Sequence, residues 1–176
     1  MIEQLSNYFT TETIYLWLNT AIIPFWIVLI VFPQSKICSI FVASIFPIFL
    51  LSATYVYLIY FFYISGYDFI DNFTLYLSID NLKGLFSENA FISLFWIHFI
   101  SINLFCGGWV VKDSHKYLVP KYLIFVPLLI IYFVGPLGIF IYWVIRIFYA
   151  KKINLYEYIQ TTLKHLLTIK VNPPSI

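Results

Sequence analysis

Four long apolar stretches dominate this chain and restrict it to folds that a membrane can hold. They cover residues 13–32, 37–64, 90–111 and 122–149, and each is almost free of charged side chains. A helix that crosses the roughly 30 Å hydrocarbon layer needs about 20 mostly apolar residues, and all four stretches reach that length. Strands of a membrane barrel alternate apolar and polar positions, whereas these stretches are apolar on every face. The sequence therefore predicts an all-α integral membrane protein with four transmembrane helices.

The composition supports this class and excludes several others. Hydrophobic residues make up 62% of the chain and charged residues 10%, whereas soluble domains have roughly 45–50% and 25%. So few polar side chains cannot cover a water-facing surface, which excludes a soluble enzyme, a disordered chain and a nucleic-acid-binding protein. The net charge of +2 is too small to indicate an anionic partner. Two cysteines, Cys38 and Cys106, exclude a disulfide scaffold and zinc-finger spacing.

Two segments outside the predicted spans are amphipathic. Residues 65–86 connect the second and third stretches, and we expect a short interfacial helix over 78–86. Residues 151–176 follow the fourth stretch, where apolar side chains at helical spacing predict an amphipathic helix on the membrane surface. We therefore divide the chain into a four-span membrane domain, residues 1–150, and a surface tail, residues 151–176.

The orientation in the membrane is weakly encoded. With four spans both termini lie on one side, and the Lys and Arg residues then divide six to four between that side and the other. The flanks of the first stretch favour an outside N-terminus, whereas the C-terminal lysine cluster favours the reverse. Residues 1–11 carry no signature of a secretory signal or a transit peptide. We expect a multi-pass protein of the bacterial cytoplasmic membrane, or of a plastid membrane if the source is eukaryotic.

Polar side chains inside the predicted spans are few, and His98 is the most informative of them. It lies about nine residues into the third stretch, roughly 13 Å deep, where an ionisable group is costly unless it has a partner. Two interpretations stay open: a functional histidine, and a neutral imidazole that joins two helices by a hydrogen bond. Asn103 points about 140° away from His98 around the helix, so we expect it to bond another span. Asn19 in the first stretch is a candidate partner for either residue.

Glycine and proline inside the predicted spans mark close approaches and bends. A broken helix beside a polar residue can mark a ligand site, but a packing kink is the commoner cause. We therefore assign a structural role to five residues: Pro24, Gly108, Gly135, Pro136 and Gly138.

Two charged residues near the predicted span ends are expected to contact water or the membrane surface. Asp113 lies just past the third stretch, beside Lys112 and Lys116, where a solvated loop acid is expected. Arg146 lies near the end of the fourth stretch and fits a side chain that extends to the membrane surface.

The sequence carries no signature of a metal site or a cofactor. Three histidines, His98, His115 and His165, cannot supply the ligands of a membrane di-iron enzyme, and no two lie on facing spans as haem ligands would need. No Walker loop, dinucleotide fingerprint or nucleophile elbow occurs. We predict no metal and no cofactor.

The order of several short motifs resembles a known family. From the N-terminus these are Asn19, Pro24-Phe25-Trp26, Pro33, Leu85-Phe86, Trp96-Ile97-His98, Asn103-Leu104-Phe105, Gly108-Trp109, Asp113, Pro127, Gly135-Pro136-Leu137-Gly138, Tyr142 and Arg146. In their order and spacing the chain is similar to the abscisic-acid-deficient-four-like family of small membrane proteins. That family is linked in plants to the formation of neoxanthin from violaxanthin. It usually has Asp at the position of Asn103.

The resemblance implies a protein that isomerises or rearranges a xanthophyll, or that assists an enzyme in doing so. It implies His98 as the proton-handling or orienting residue. The implied substrate-binding residues are Asn19, Trp96, Asn103, Trp109 and Asp113. The implied partners are the lipid bilayer and a carotenoid or other apolar ligand. The alternative is a non-enzymatic accessory or structural protein that binds lipid or partner proteins. A small transporter is a third class, for which a single four-span chain is a poor candidate.

Overall fold

The computed structural model describes residues 10–42 and 44–150, apart from the side chain of residue 41. Within these ranges the chain is helical and contains no β-strand, which confirms the predicted all-α class. The α-helices are α1 (Thr11–Val31), α2 (Phe46–Ile64), α3 (Ile79–Leu85), α4 (Asn89–Lys116), α5 (Lys121–Phe133) and α6 (Gly135–Ala150). A π-helical turn (Cys38–Val42) precedes α2, and a 3-10 helix (Asp71–Tyr76) precedes α3. The predicted tail helix, residues 151–176, lies outside the described residues, so its division from residues 1–150 stays a prediction.

Three helices, α1, α2 and α4, are long and apolar enough to cross a membrane. They contain 21, 19 and 28 residues, which correspond to about 31, 28 and 42 Å of helix. They match the first three predicted spans with changed bounds. The second span begins at Phe46 rather than at residue 37, because the π-helical turn interrupts the apolar stretch. The third span continues to Lys116, so Asp113 belongs to a helix and not to a loop.

Two short antiparallel helices replace the predicted fourth span, residues 122–149. Helices α5 and α6 contain 13 and 16 residues and are separated by Val134, whose backbone (φ −140°, ψ 83°) leaves the helical region. A Cβ built on Gly138 would lie 2.7 Å from the carbonyl oxygen of Pro127. In one continuous helix these two positions would be about 16 Å apart, so the chain folds back on itself. We call this pair the α5–α6 hairpin.

The sequence of the turn explains the reversal. Pro136 has no N–H with which to continue α5, but it fits the first turn of α6, where an N–H would have no partner in the helix. Gly138 lets the backbones of the two helices touch, because any side chain there would collide with α5. The glycine and proline residues at 135–138 were interpreted as a kink in one span. In the structure the chain instead makes a complete turn there.

Contacts along α4 fix the direction of the hairpin. Near the middle of α4, Asn103 packs against Gly135, the first residue of α6. Near the end of α4, Asp113 bonds Arg146 in the last turns of α6. Helix α6 therefore runs parallel to α4, and the hairpin enters and leaves the bundle at the Lys116 end. The described chain then has three helices that are long and apolar enough to cross a membrane, and one hairpin that reaches the middle of the bundle and returns.

Charged side chains separate between the two ends of the bundle. Helix α1 also runs parallel to α4, since Asn19 bonds Trp96 and a Cβ on Gly107 would touch Leu29. The end at which α4 stops therefore holds the exposed lysines Lys36, Lys112, Lys116 and Lys121. The end at which α4 begins holds one described lysine, Lys83, and the acids Glu12, Asp68, Asp71, Asp80 and Glu88. Because cytoplasmic loops are enriched in Lys and Arg, we expect the lysine end to face the cytoplasm. This distribution of lysines over the described residues replaces the six-to-four division that four spans would give.

Cysteine labelling in intact cells tests the hairpin and the orientation together. In a background with Cys38→Ser and Cys106→Ser, a membrane-impermeant maleimide is expected to label Lys83→Cys from outside. Lys121→Cys and Ala150→Cys are expected to react only after the membrane is permeabilised, because both lie at the lysine end. A fourth span would place residues 121 and 150 on opposite sides. Labelling of Ala150→Cys from the same side as Lys83→Cys would therefore contradict the hairpin.

The segment between α2 and α4 contains the expected short helix. Helix α3 covers Ile79–Leu85, and its N-terminus is capped by Ser78, whose hydroxyl accepts a hydrogen bond from the Asn81 N–H at 3.1 Å. Before it, the Tyr67 hydroxyl donates to Asn72 Oδ1 at 2.6 Å. Burial, and then the nearby negative charges, raise the pKa of Tyr67 above its ordinary value. This segment therefore places an acidic surface at one end of the bundle.

Candidate functional site

Helix α4 is the central helix of the bundle, and its buried polar residues locate the candidate site. It packs against α1, α2, α5 and α6. Three of its polar residues are buried, namely Asn103, Asp113 and Ser114. The Ser114 hydroxyl donates to the Val111 carbonyl oxygen of its own helix. Asn103 and Asp113 instead face other helices and belong to two separate polar clusters.

The first cluster surrounds a cavity of about 190 Å³ between α1, α4 and the turn of the hairpin, which we call the inner pocket. Three of the five residues predicted to bind substrate meet here, Asn19, Trp96 and Asn103. The remaining lining residues are apolar or aromatic: Ile22, Trp26, Phe99, Ile100, Tyr132 and Phe133. The rings of Trp26 and Tyr132 meet edge to face at 5.4 Å. A few polar groups in an apolar wall are typical of a small-molecule site.

Asn103 holds the inner part of this pocket and has unused bonding capacity. Its side chain is 3% exposed, and its Nδ2 has no hydrogen-bond partner. Its Oδ1 lies against Gly135, where a Cβ would overlap it, so only glycine fits at the start of α6. An unbonded buried donor costs roughly 1–3 kcal/mol, and buried polar groups are almost always bonded in folded proteins. Asn103 was expected to bond another span, but its Nδ2 has no hydrogen-bond partner and lies beside the pocket.

Helix ends inside the bundle add to the polarity of this site. Helix α6 begins at Gly135, beside Asn103 and therefore near the middle of the bundle. The N-terminus of a helix carries a partial positive charge and free N–H groups, which favour an oxygen or an anion. Broken helices beside polar residues form the ligand sites of many membrane transporters by the same means. The inner pocket therefore favours a ligand whose buried end carries an oxygen acceptor.

Asn19 and Trp96 close the other side of the inner pocket. The Trp96 Nε1–H donates to Asn19 Oδ1 at 3.1 Å, and Asn19 Nδ2 donates to the Tyr15 carbonyl oxygen at 2.8 Å. The Tyr15 ring packs on Trp96 at 5.6 Å. The partner of Asn19 is therefore an indole and not His98 or Asn103. Trp96 also lines a cavity of about 710 Å³ at the acidic end of the bundle, together with Thr10, Thr11, Glu12, Tyr15, Asn89, Ile92 and Ser93. Trp96 thus stands between this outer cavity and the inner pocket.

The second cluster is a buried ion pair that joins α4 to the hairpin. Arg146 Nε donates to Asp113 Oδ2 at 2.7 Å, and the Tyr142 hydroxyl donates to the same oxygen at 2.8 Å. Arg146 is 0% exposed and Asp113 is 8% exposed. The Arg146 guanidinium also donates to the Tyr117 hydroxyl and lies over that ring, 4.6 Å from its centroid. The predicted loop acid and surface arginine are thus corrected to partners in one buried network.

Trp109 belongs to the ion-pair cluster rather than to the inner pocket. Its ring meets Tyr142 edge to face at 5.7 Å, and Tyr142 in turn bonds Asp113. Trp109 and Gly108 also line a separate apolar cavity on the opposite side, near Lys112. The predicted substrate-binding residues therefore divide into three at the inner pocket and two, Trp109 and Asp113, at the cluster that fixes the hairpin.

His98 lies outside both clusters. Its side chain is exposed on the outer face of α4, and it makes no hydrogen bond or ion pair within the described residues. Ser101, one turn later, uses its hydroxyl to donate to the Ile97 carbonyl oxygen of the same helix. The structure does not bring His98 to Asn19 or Asn103, and its catalytic role stays a prediction.

The predicted structural residues take different roles. Gly135 and Gly138 permit close contact with Asn103 and with α5, and Pro136 starts α6. Pro24 lies inside α1, which continues through it without a break. Gly107, rather than its neighbour Gly108, faces α1, where a Cβ would lie 3.0 Å from the Trp26 ring. Within the described residues, no group of three His, Cys, Asp or Glu residues is placed to hold a metal ion.

These features define a class of protein: a small helical protein with helices long and apolar enough to cross a membrane, whose central helix and hairpin border a pocket beside an unbonded amide donor. The sequence profile of the ABA DEFICIENT 4-like family matches residues 13–142, so the chain belongs to this family. A curated relative is the protein ABA DEFICIENT 4, chloroplastic, of Arabidopsis thaliana, which is 27% identical over 99 residues. The match covers 54% of this chain and 44% of that relative, less than half of its length. No solved structure matches the chain.

Proposed function

We propose that this protein binds the oxygenated end group of a xanthophyll or similar isoprenoid in the inner pocket. In this proposal it isomerises or rearranges that pigment, or presents it to an enzyme that does. Membership of the ABA DEFICIENT 4-like family supports the pigment class, because that family is linked to neoxanthin synthesis. The single observation that carries the proposal is the unbonded Nδ2 of the buried Asn103 beside the pocket. The membrane that holds the protein, bacterial or plastid, stays a prediction.

The size of the pocket supports an end group rather than a whole pigment. Pockets that enclose drug-sized ligands are roughly 300–1,000 Å³, whereas the inner pocket is about 190 Å³. A ring that carries a hydroxyl, epoxide or carbonyl oxygen fits this volume, and its long apolar chain would extend into the surrounding lipid. In this arrangement Trp26 and Tyr132 pack on the ring, and Asn103 donates to its oxygen.

The chemistry available in the pocket is stabilisation of charge on oxygen. Opening an epoxide places negative charge on its oxygen, and a fixed donor beside a helix N-terminus lowers the energy of that state. The described lining residues include no carboxylate, histidine, lysine or arginine, so the proton would come from the Tyr132 hydroxyl, from water or from outside the pocket. The same absence favours the second candidate, an accessory protein that holds the pigment for a separate enzyme.

Replacing Asn103 separates a ligand-binding role from a structural one. Asn103→Leu removes the unbonded donor, so the free energy of unfolding of the empty protein is expected to rise by about 1 kcal/mol or more. Pigment binding is expected to weaken by about tenfold, the value of one buried hydrogen bond. Thr20→Val is the control, since Thr20 is exposed on α1 and its hydroxyl bonds its own helix.

The experiment uses the full chain in a bacterium that accumulates zeaxanthin and violaxanthin. Pigment that copurifies with the protein measures binding, and a chromatogram of the cell pigments measures conversion. Loss of the bound pigment in Asn103→Leu, with a more stable protein, would support the proposal. A new pigment with the native chain indicates an enzyme, and bound but unconverted pigment indicates the accessory role. Equal binding by the native chain and Asn103→Leu would overturn the proposal.

A further inference from the structure

A second cavity lies between the start of α2 and the later half of α4, and we call it the α2–α4 groove. Its volume is about 420 Å³, against about 190 Å³ for the inner pocket. Ligand pockets are roughly 300–1,000 Å³, so the groove has room for a ligand of its own. Its apolar wall is formed by Val42, Ile45 and Ile48 before and at the start of α2, and by Leu104, Phe105 and Trp109 on α4.

The groove carries one charged side chain among its described lining residues, and that side chain lies at the lysine end. The α4 wall extends about 12 Å along the helix, from Leu104 to Lys112. Ser44, which also lines the groove, already accepts a backbone hydrogen bond. Lys112 has no carboxylate partner within the described residues, and Asp113, which follows it, bonds Arg146 instead. The groove therefore combines an apolar wall with a cation at one end.

Positive charge is concentrated around this end of the groove. Lys112 and Lys116 are one turn apart on the same side of α4, about 6 Å along the axis, and the other exposed lysines of the lysine end lie before α2 and at the start of α5. The acid that the described residues place at this end is Asp113, which is 8% exposed and neutralised by Arg146. A group of exposed lysines without exposed acids attracts anions, and at a membrane surface these are the headgroups of anionic lipids.

We infer that the α2–α4 groove binds an anionic phospholipid, with an acyl chain against its apolar wall and the headgroup phosphate at Lys112. Basic pockets between membrane helices bind such headgroups by the same combination of contacts. The apolar stem of a lysine packs along the chain while its ammonium stays among the headgroups, and Lys116 adds a second charge one turn further. The groove shares no lining residue with the inner pocket, so this inference is independent of the proposed function.

The charge of the site favours this occupant over the others that could cover an apolar groove. Residues 151–176 hold four lysines and one glutamate, so like charge opposes their docking at the lysine end. A second copy of the chain would bring the same exposed lysines to the contact. A zwitterionic lipid carries its own cation beside the phosphate, and a neutral pigment carries no anion, so neither neutralises Lys112.

Quenching of tryptophan fluorescence tests the inference with the full chain in detergent micelles. The probes are phosphatidylglycerol and phosphatidylcholine that carry bromine on the same acyl-chain carbons, because bromine quenches a tryptophan that it contacts. Brominated phosphatidylglycerol is expected to quench the native chain more strongly than brominated phosphatidylcholine. Trp109→Phe should remove this difference, because Trp109 lines the groove.

The lysine variants test the headgroup contact in the same titration. Lys112→Gln is expected to raise the phosphatidylglycerol concentration for half-maximal quenching about fivefold, the value of one lysine beside an anionic lipid. The matched control is Lys83→Gln, which is exposed at the opposite end of the bundle and should titrate as the native chain does.

Four outcomes would overturn the inference. These are equal quenching by the two lipids, a phosphatidylglycerol excess that persists in Trp109→Phe, an unchanged titration of Lys112→Gln, and full displacement of the lipid by inorganic phosphate, which would indicate a site for a free anion. The melting temperature of Lys112→Gln should equal that of the native chain, because Lys112 is exposed and makes no ion pair within the described residues. A weaker titration with unaltered melting therefore separates lipid binding from a loss of fold.

Discussion

Replacing Arg146 with methionine is expected to lower the free energy of unfolding by about 3–5 kcal/mol, because it leaves the buried Asp113 carboxylate without its cation. The loss should be larger than for an ordinary surface charge, since Arg146 bonds both Asp113 and Tyr117. The measurement is denaturant-induced unfolding of the purified protein in detergent micelles. The matched control is Lys83→Met, which removes an exposed pair with Asp80 and should leave stability unchanged.

The double substitution decides whether the loss comes from a stranded charge. Asp113→Leu combined with Arg146→Met removes both charges, and a buried ion pair replaced by apolar residues is often neutral in energy. We expect the double variant to recover more than half of the stability that Arg146→Met loses. If the stability losses of Asp113→Leu and Arg146→Met simply add in the double variant, the two residues are not coupled. The buried ion pair would then be contradicted.

Gly138→Ala is expected to destabilise the hairpin by about 1–3 kcal/mol or more, because the new methyl group collides with backbone. A Cβ at this position would lie 2.6 Å from the Ile131 nitrogen and 2.7 Å from the Pro127 carbonyl oxygen. Neither atom can move without opening the contact between α5 and α6. Gly84→Ala is the matched control, since Gly84 lies in the exposed α3 with no atom within 4 Å of such a Cβ.

Thermal unfolding of the two glycine variants gives a clear contrast. Gly84→Ala should unfold at the native temperature or slightly above it, because alanine favours a helix more than glycine does. Gly138→Ala should unfold several degrees lower. A melting temperature for Gly138→Ala equal to that of Gly84→Ala would mean that α5 and α6 are not in direct contact.

The membrane class and the positions of three long helices could be predicted from the sequence, because length and apolar character alone determine them. Proline also marks two helix ends in the sequence: Pro33 lies just beyond α1, and Pro120 immediately precedes α5. The hairpin could not be predicted in this way, since an apolar run of 28 residues has the same composition whether it crosses the membrane or turns back. Gly135 to Gly138 carried the signal, but glycine and proline mark a kink as readily as a turn.

The polar sites were only partly predictable, because their partners depend on the hairpin. Asp113 and Arg146 are 33 positions apart, and α6 must run parallel to α4 before they can meet. Asn19 and Asn103, which were singled out as polar residues inside the predicted spans, line the same pocket. The donor that bonds Asn19 is the indole N–H of Trp96, a pairing that the apolar pattern of the spans does not indicate. The one signal for the ion pair was the resemblance, whose motifs include Asp113, Tyr142 and Arg146.

The return of the hairpin to its own side affects how the protein is assembled. A fourth crossing would require the segment after it to be carried through the bilayer, whereas α5 and α6 start and finish at the lysine end. They can enter as one unit after α1, α2 and α4 are in place, and the turn between them does not have to cross the bilayer. Docking of the hairpin brings Gly135 to Asn103 and Arg146 to Asp113 in the same step. The inner pocket therefore exists only when the hairpin is docked, because Tyr132 and Phe133 of α5 form part of its wall.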